Sequence, residues 1–477
     1  MKYNILKVIR IMLFFVSILF FLIGFLFNDL NILLFNVFLI LLHNVLFSLE
    51  KLKNRLILFW FQITFFVFLV GKPLFIMLNG EDWIHPFSEI VMKHTVISLI
   101  LSCYSIFLGS YIYSKITKTP NFNLLKEVTF KSKYMVTLRK VSLVLYYITF
   151  IAALAVVLEK VIFVQSTDFR EYYISYNSNL PIFLVKIGDL CITIFYVYLA
   201  TLPSKKQSKL PILLYVLYSV VSIGYGQRND LFLNGILLIT YFIIRDYIAK
   251  DGIKWFTKKI KYSIFISLPF ILIFAVIFDY VRRDIPLSEF EFFALLTEFF
   301  ISQGGSNEII SYGYILEDRI PSQMVYYSLG SLYIYLTQNM ISRAILNIDS
   351  IPLNTVEMAL TGNSFGHTIT YLVYPKTYLE GIGMGSSYIA ELYYDFGYIG
   401  IVCGGLFLGM LFPLIIKVMI KKWWLFALSL IMIRGIIFIP RATYFGWFTD
   451  AFSILNIFTI ILLWFIAKFI YEKKYKG

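Results

Sequence analysis

The stretch with the strongest signs of chemistry is residues 381–400, GIGMGSSYIAELYYDFGYIG. Its glycines permit sharp backbone turns, and Ser386 or Ser387 can cap the helix that the next residues predict. Glu391 and Asp395 then lie one helical turn apart on one face. A helix start binds anions, so the stretch predicts an anion-receptive site beside two carboxylates. The alternative is a plain loop-to-helix junction whose acids pair with nearby arginines.

Arginine is the second residue type that can do chemistry here. Its planar fork binds phosphate or carboxylate through two parallel hydrogen bonds, which a lysine cannot do. Eight arginines lie outside the lysine-rich loops: Arg170, Arg228, Arg282, Arg283, Arg319, Arg343, Arg434 and Arg441. They predict an anionic ligand, unless each one pairs with an acidic residue.

Three of these arginines lie in or beside apolar runs. Two runs and the turn GYGQRND share only the 35 residues 211–245, fewer than the roughly 40 that two membrane crossings need. Arg228, in that turn, is therefore expected below the membrane surface at the start of a helix. Arg434 lies inside another short run and Arg441 at its exit. Charges within a membrane mark a substrate path by default, although a long side chain can also snorkel for structural reasons.

Other candidate groups are fewer. His367 has the intrinsic pKa of a base, although a lone histidine is more often structural. The segment 303–308, QGGSNE, predicts a helix start whose carboxylate either caps the helix or holds the hydroxyl groups of a ligand. The three cysteines and four histidines are scattered, so we expect small core cysteines and no metal site. No GxxxxGK[ST] loop is present, and we expect no cofactor.

The elements that must position these residues are apolar helices. Of the 477 residues, 59% are hydrophobic and 15% are charged, which excludes a soluble globular protein and a disordered one. The apolar blocks are long enough to cross a hydrocarbon layer of roughly 30 Å as helices. We predict an all-α polytopic membrane protein with about twelve spans, at 9–27, 31–49, 56–78, 95–114, 141–164, 182–201, 211–225, 231–245, 262–280, 397–416, 425–440 and 451–467.

The net charge of +14 is a topology signal rather than a sign of nucleic-acid binding. The loops on one side of the predicted spans, with both ends of the chain, hold 25 lysines and four arginines against five acidic residues. The positive-inside rule places that side in the cytoplasm, so both termini are expected to be cytoplasmic. The first apolar run has full span length and another follows at once, so it is not expected to be a cleaved signal peptide.

One large loop follows the ninth predicted span on the outer side. The predicted division is a membrane bundle at 1–280, an extracytoplasmic loop at 281–396 and a second membrane part at 397–477. Within the loop, 290–301 and 324–346 are apolar or amphipathic, which predicts helices in the membrane interface or packed on the bundle. Chemistry on water-soluble groups is expected in this loop.

The motifs named above resemble those of a known family. The glycine turn, two serines, Ala-Glu-Leu-Tyr and Asp-Phe-Gly of 381–400 are similar to the late outer-face motif of the Wzy polymerases of O-antigen and capsule repeat units. The GQR turn at 226–228 resembles the family's glycine-x-arginine motif, although Asn229 follows where many members have glycine. The RAT sequence at 441–443 stands where members carry an arginine with small residues.

The resemblance implies a membrane glycosyltransferase of the bacterial cytoplasmic membrane. Such an enzyme moves a growing chain from its undecaprenyl pyrophosphate carrier onto the non-reducing sugar of a new lipid-linked repeat unit. The implied partners are undecaprenyl-pyrophosphate-linked oligosaccharides and the lipid bilayer. A chain-length regulator and a flippase are further candidate partners.

This reaction needs cations for the departing diphosphate and a base for the attacking hydroxyl. The arginines predicted to bind diphosphate, without a metal, are Arg228, Arg441, Arg282, Arg283 and Arg434. Arg283 can equally form a plain pair with Asp284. The candidate bases are Glu391, Asp395 and His367, and the motif favours Glu391.

Three other functions compete with polymerisation. A ligase that moves finished polymer to a final acceptor uses the same donor. A flippase also has about twelve spans, but would show two similar halves, which this sequence lacks. A non-catalytic assembly subunit leaves the outer arginines without a role.

Overall fold

The described part of the chain is built from α-helices. The computed structural model describes residues 2–117, 132–167, 169–226, 228–249, 253–282 and 292–475, and in these ranges it contains no strand. The first twelve helices are α1 (Lys2–Leu26), α2 (Leu30–Glu50), α3 (Leu52–Phe65), α4 (Gly71–Leu78), α5 (Glu89–Ile116), α6 (Lys133–Ser166), α7 (Phe169–Ser175), α8 (Ile182–Asp189), α9 (Cys191–Ala200), α10 (Lys205–Val221), α11 (Arg228–Ile248) and α12 (Lys258–Arg282). They are followed by α13 (Phe292–Gln303), α14 (Ser306–Ile315), α15 (Gly330–Thr337), α16 (Met340–Leu346), α17 (Val356–Thr361), α18 (Phe365–Val373), α19 (Pro375–Leu379), α20 (Tyr388–Met419), α21 (Trp423–Phe438), α22 (Gly446–Ala451) and α23 (Ile454–Tyr475).

Twelve helical stretches in the described ranges are long and apolar enough to cross a membrane, which confirms the predicted number. They are Ile5–Leu26, Leu30–Glu50, Leu52–Leu78, Glu89–Ile116, Lys133–Ser166, Ile182–Ala200, Lys205–Tyr225, Asn229–Ile248, Lys258–Phe278, Tyr388–Met419, Trp423–Arg441 and Gly446–Tyr475. The chain is therefore a multi-pass membrane protein. The predicted span at 56–78 is not a regular helix throughout, because a π-helix at Phe66–Val70 lies between α3 and α4.

By packing, the chain divides into two units. The first unit is Met1–Thr119, Tyr262–Leu414 and Ile436–Gly446, and the second is Pro120–Lys261, Ile415–Gly435 and Trp447–Gly477. In the first unit, α2 packs against α1, α3 and α5. In the second unit, α6 packs against α8, α9, α10 and α23. Each unit therefore has its own framework of neighbouring spans.

Close backbone contact with α5 holds α20 in place within the first unit. A β-carbon has no room on Gly405 against the Ser105 hydroxyl, or on Gly409 against the Ile106 carbonyl. Small residues allow two membrane helices to approach this closely. The contact fixes the helix whose first turn contains Glu391.

Gly397 interrupts α20 near its start. Its φ is 61° and its ψ is −155°, a conformation that in practice only glycine adopts. Residues 388–396 therefore form a short helical piece of their own, which carries Glu391 and Asp395. The predicted span start at 397 coincides with this break, whereas the helix itself begins earlier, at Tyr388.

The structure shows how two predicted local features are built. The segment 324–346 contains two short helices: a 3₁₀ turn at Tyr327–Leu329 leads into α15, and the side chain of Asn339 caps a separate α16. Cys103 and Cys191 are buried as expected, but Cys403 is exposed, so its prediction as a core residue is wrong.

Candidate functional site

Glu391 lies in the first turn of α20 and is fully buried. Its Oε1 accepts a hydrogen bond from the Ser386 hydroxyl at 2.7 Å, and its Oε2 accepts one from the Tyr444 N–H at 2.9 Å. The predicted serine cap is therefore wrong, because Ser386 donates to the carboxylate and the buried Ser387 hydroxyl has no hydrogen-bond partner among the described residues. Glu391 ties the start of α20 to the loop that follows α21.

Arg441 lies in that loop, at the end of the 3₁₀ turn Ile439–Arg441. Its guanidinium carbon lies 5.8 Å from the centre of the Phe68 ring, within the range of a cation–π contact. Three residues further on, the Tyr444 hydroxyl donates to the Gly404 carbonyl at 2.9 Å. The ring of Phe68 and the anchored loop together determine where Arg441 lies.

Gly385 is the point at which the predicted groups meet. Its φ of 91° lies in the left-handed region, and a β-carbon on it would be 3.5 Å from the Arg441 carbonyl oxygen. Gly366 packs so closely on the Gly385 carbonyl that it has no room for a β-carbon. His367 directly follows Gly366, and the serine that binds Glu391 directly follows Gly385. The structure thus brings Arg441, the residue before His367 and the serine that binds Glu391 together around one turn.

Tyr378 orients His367. The Nδ1 atom of His367 lies 3.0 Å from the Tyr378 hydroxyl oxygen, and that hydroxyl donates to the Thr355 carbonyl at 3.3 Å. Because the single hydroxyl proton goes to the carbonyl, the oxygen accepts from Nδ1–H, and we assign Nε2 as the proton-accepting nitrogen. Burial lowers the pKa of His367 below its ordinary value of 6.5, so the ring is neutral at pH 7. This is the protonation state that a histidine base requires.

Asp395 has a different set of partners. Its two carboxylate oxygens accept hydrogen bonds from the backbone N–H groups of Tyr327, at 3.0 Å, and Ser328, at 2.7 Å. They hold the 3₁₀ turn Tyr327–Leu329 in front of α15. Glu391 and Asp395 share the short helical piece as predicted, but their carboxylates bind different loops.

Arg434 lies in the second unit, where it forms an ion pair with Asp230 in the first turn of α11. Its Nε also donates to the Asn234 side-chain oxygen at 3.2 Å, and Asn234 donates to the Ser219 hydroxyl at 2.9 Å. A carboxylate thus balances the charge of this arginine. For Arg434, the structure agrees with the alternative of pairing with an acidic residue.

The side chains of three predicted arginines lie outside the described residues. The backbone of α11 begins at Arg228, two residues after Gly226, whose φ is 96°. This agrees with the predicted glycine-permitted turn at a helix start. The backbone of α12 ends at Arg282. Nothing is described for the side chains of Arg228 and Arg282 or for any part of Arg283, so their roles remain predictions.

Sequence reasoning missed Phe68, which contacts Arg441, and Lys72, four residues further along the same span. Phe68 has no signal of its own in a chain with 48 phenylalanines. Lys72 had one, because it is the only charged residue in the predicted span 56–78, and intramembrane charges are seldom neutral in function.

As for metals, no three His, Cys, Asp or Glu side chains of the described ranges lie together as an ion site requires.

Comparison with known proteins supports the resemblance. The family model of O-antigen polysaccharide polymerase Wzy matches residues 9–474, nearly the whole chain. The match includes every candidate site residue in both units. No curated protein and no solved structure matches the chain.

Proposed function

Because this chain belongs to the Wzy family of O-antigen polysaccharide polymerases, we propose that it joins lipid-diphosphate-linked oligosaccharide repeat units into a polymer. Family membership implies the polymerase activity, which is a glycosyl transfer. The undecaprenyl carrier, the outer-face location of the site and the bacterial cytoplasmic membrane belong to the proposal. The lysine-rich loops on one side of the spans indicate the cytoplasmic side and so support an outer-face location of the site.

The contacts around Gly385 carry the site assignment: they bring Arg441 close to the residue before His367 and to the serine that binds Glu391. A cation, a neutral imidazole and a buried carboxylate supply the types of group that the transfer needs. All three belong to the first unit. Their placement depends on glycines that allow backbones to touch, as at Gly366.

In the proposed reaction, a hydroxyl of the incoming repeat unit attacks the anomeric carbon that links the growing chain to its diphosphate. The new glycosidic C–O bond forms while the C–O bond to the diphosphate breaks, and the diphosphate leaves with that electron pair. The hydroxyl proton passes to Nε2 of His367. Arg441 binds the departing diphosphate and stabilises its developing charge.

Glu391 acts in this proposal by positioning Arg441. Both of its carboxylate oxygens accept hydrogen bonds from the protein, and its side chain is buried. Its partner Tyr444 lies three residues after Arg441 in the same loop. The geometry therefore favours His367 over Glu391 as the base. Asp395, whose carboxylate holds the turn before α15, has a positioning role as well.

Reconstitution tests the function. Purified protein is placed in liposomes that display lipid-linked repeat units on one side, and the products are separated by length. Growth of lipid-linked chains is the result expected of a polymerase. Crossing of the units without growth would replace the proposal with a flippase, and attachment of chains to another acceptor would replace it with a ligase.

Single substitutions test the site. Arg441→Ala and Arg228→Ala are expected to shorten or abolish the polymer at equal membrane levels, because each removes a cation for a diphosphate. Arg319→Ala is the matched control, since Arg319 is an exposed arginine of the first unit. Polymer of wild-type length in both test strains would overturn the site assignment.

A further inference from the structure

Lys72 lies on the same span as the aromatic ring beneath Arg441. Phe68 belongs to the π-helix Phe66–Val70, and Lys72 is the second residue of α4, which follows directly. Four residues make about one helical turn. Lys72 therefore lies about one turn along this span from the Phe68–Arg441 contact.

The start of α14 fixes the stem of Lys72. Gly304 packs against the Lys72 β-carbon with no room for a β-carbon of its own. The side-chain amide of Asn307 donates to the Leu69 carbonyl at 2.7 Å, which attaches the same helix start to the π-helix. The ammonium group then forms an ion pair with Glu308.

This ion pair is accessible although Lys72 belongs to a membrane span. The exposed fractions of the two side chains are 29% for Lys72 and 25% for Glu308. A charge in a span is costly, so a carboxylate partner is needed whenever no other anion is present. A diphosphate carries more negative charge than a carboxylate and can therefore take its place beside the ammonium.

We infer that Lys72 is a second diphosphate-binding cation beside Arg441, and that the Glu308 carboxylate pairs with its ammonium group until a lipid diphosphate binds. The inference rests on the proposed function, in which donor and acceptor each carry a diphosphate. It gives the helix start QGGSNE a role in lipid-head binding. Of the two sequence predictions for this segment, the cap is wrong, because no side chain of the described residues caps α14, whereas the role in holding the hydroxyl groups of a ligand stays a prediction.

A double-variant binding experiment tests this role. Purified protein in nanodiscs is titrated with farnesyl diphosphate, and farnesol serves as the uncharged control. Glu308→Gln is expected to tighten farnesyl diphosphate binding about fivefold, because it removes the competing carboxylate. Lys72→Met, alone or combined with Glu308→Gln, is expected to weaken binding about tenfold. Lys72→Arg keeps the charge and is expected to retain most of the affinity.

The combined variant separates ligand binding from plain structure. If Lys72 served only to neutralise Glu308, Lys72→Met with Glu308→Gln would bind farnesyl diphosphate as the wild type does, and the inference would be overturned. Wild-type affinity for farnesyl diphosphate in all three single variants, Glu308→Gln, Lys72→Arg and Lys72→Met, would also overturn the inference. If Lys72→Met does not fold, the double variant, which leaves no unpaired charge, carries the test.

The outcome also distinguishes this inference from the proposed function. Loss of binding in Arg441→Ala with no effect at Lys72 leaves the polymerase proposal intact and removes the second cation. Conversely, if both cations affect farnesyl diphosphate binding while the wild type fails to elongate repeat units, the diphosphate site stands and the polymerase proposal fails.

Discussion

Replacing Glu391 by glutamine and by alanine separates a positioning role from proton transfer. Glutamine has nearly the shape of glutamate, and its carbonyl oxygen can still accept from the Tyr444 N–H. Its amide can donate to the Ser386 hydroxyl, which is able to accept as well as donate. Both observed connections, at 2.7 Å and 2.9 Å, therefore survive in Glu391→Gln, and neither survives in Glu391→Ala.

The expected magnitudes are well separated. Glutamine loses at most the difference between a hydrogen bond to a charged group and one to a neutral group, about 1 kcal/mol, or roughly fivefold in rate if all of it affects the transition state. Alanine leaves the buried Tyr444 N–H unsatisfied, which costs about 1 to 3 kcal/mol of stability, and it releases the loop that holds Arg441. A misplacement of 1 Å can cost about a hundredfold in rate. Removing a general base costs about a hundredfold to ten-thousandfold.

The assay is the initial rate of chain elongation in proteoliposomes, with thermal unfolding of each purified variant as a folding control. We expect Glu391→Gln to keep at least about a tenth of the wild-type rate and Glu391→Ala to fall below about a hundredth. A folded Glu391→Gln protein as inactive as Glu391→Ala would refute the positioning role and identify Glu391 as the base.

Five further outcomes are expected. The kcat/KM of elongation should be flat near pH 7 and should fall in acid with a midpoint below 6.5, because burial lowers the pKa of His367. Tyr378→Phe should reduce the rate about tenfold, because it removes the hydroxyl that accepts a hydrogen bond from Nδ1–H of His367. Gly397→Ala should destabilise the protein by about 1 to 3 kcal/mol in thermal unfolding, since a β-carbon there meets open space and only the backbone conformation opposes it. Gly235→Ala, also in open space but without a positive φ, should be neutral or stabilising. Arg434→Gln should lower the folded yield, because it leaves the Asp230 carboxylate without its partner. The double variant Arg434→Gln, Asp230→Asn should restore both yield and polymer length.

The membrane architecture was predictable because burial in lipid leaves few choices. Every backbone polar group in a span must be satisfied within its own helix, so long apolar runs translate directly into helices. In the described ranges, the twelve predicted runs correspond to twelve helical stretches long and apolar enough to cross a membrane. Irregular backbone was not predictable in the same way. The π-helix at Phe66–Val70 lies in a uniformly apolar run, and the break in α20 depends on one glycine among the 26 of the chain.

The candidate site was only partly predictable because a charge does not reveal its partner. The same reasoning selected Arg441 and Arg434 as intramembrane arginines. Only the fold shows that Arg434 faces Asp230, which lies 204 residues away in the sequence. Lys72 was not predicted either, because the planar fork of arginine makes it the expected phosphate ligand. Its position within a predicted span was nevertheless evident from the sequence.

The motif at 381–400 supplies two carboxylates that hold other segments in place. Its two carboxylates lie on one short helical piece, and each accepts two hydrogen bonds from other parts of the first unit. One holds the loop of Arg441 and the other holds the turn before α15, so a single piece of helix sets the positions of two segments that are distant in sequence. With both carboxylates engaged in this way, we propose His367 as the base, because no contact within the described residues is assigned to its Nε2 atom. In this proposal the motif supports the site, and the proton transfer falls to a residue outside it.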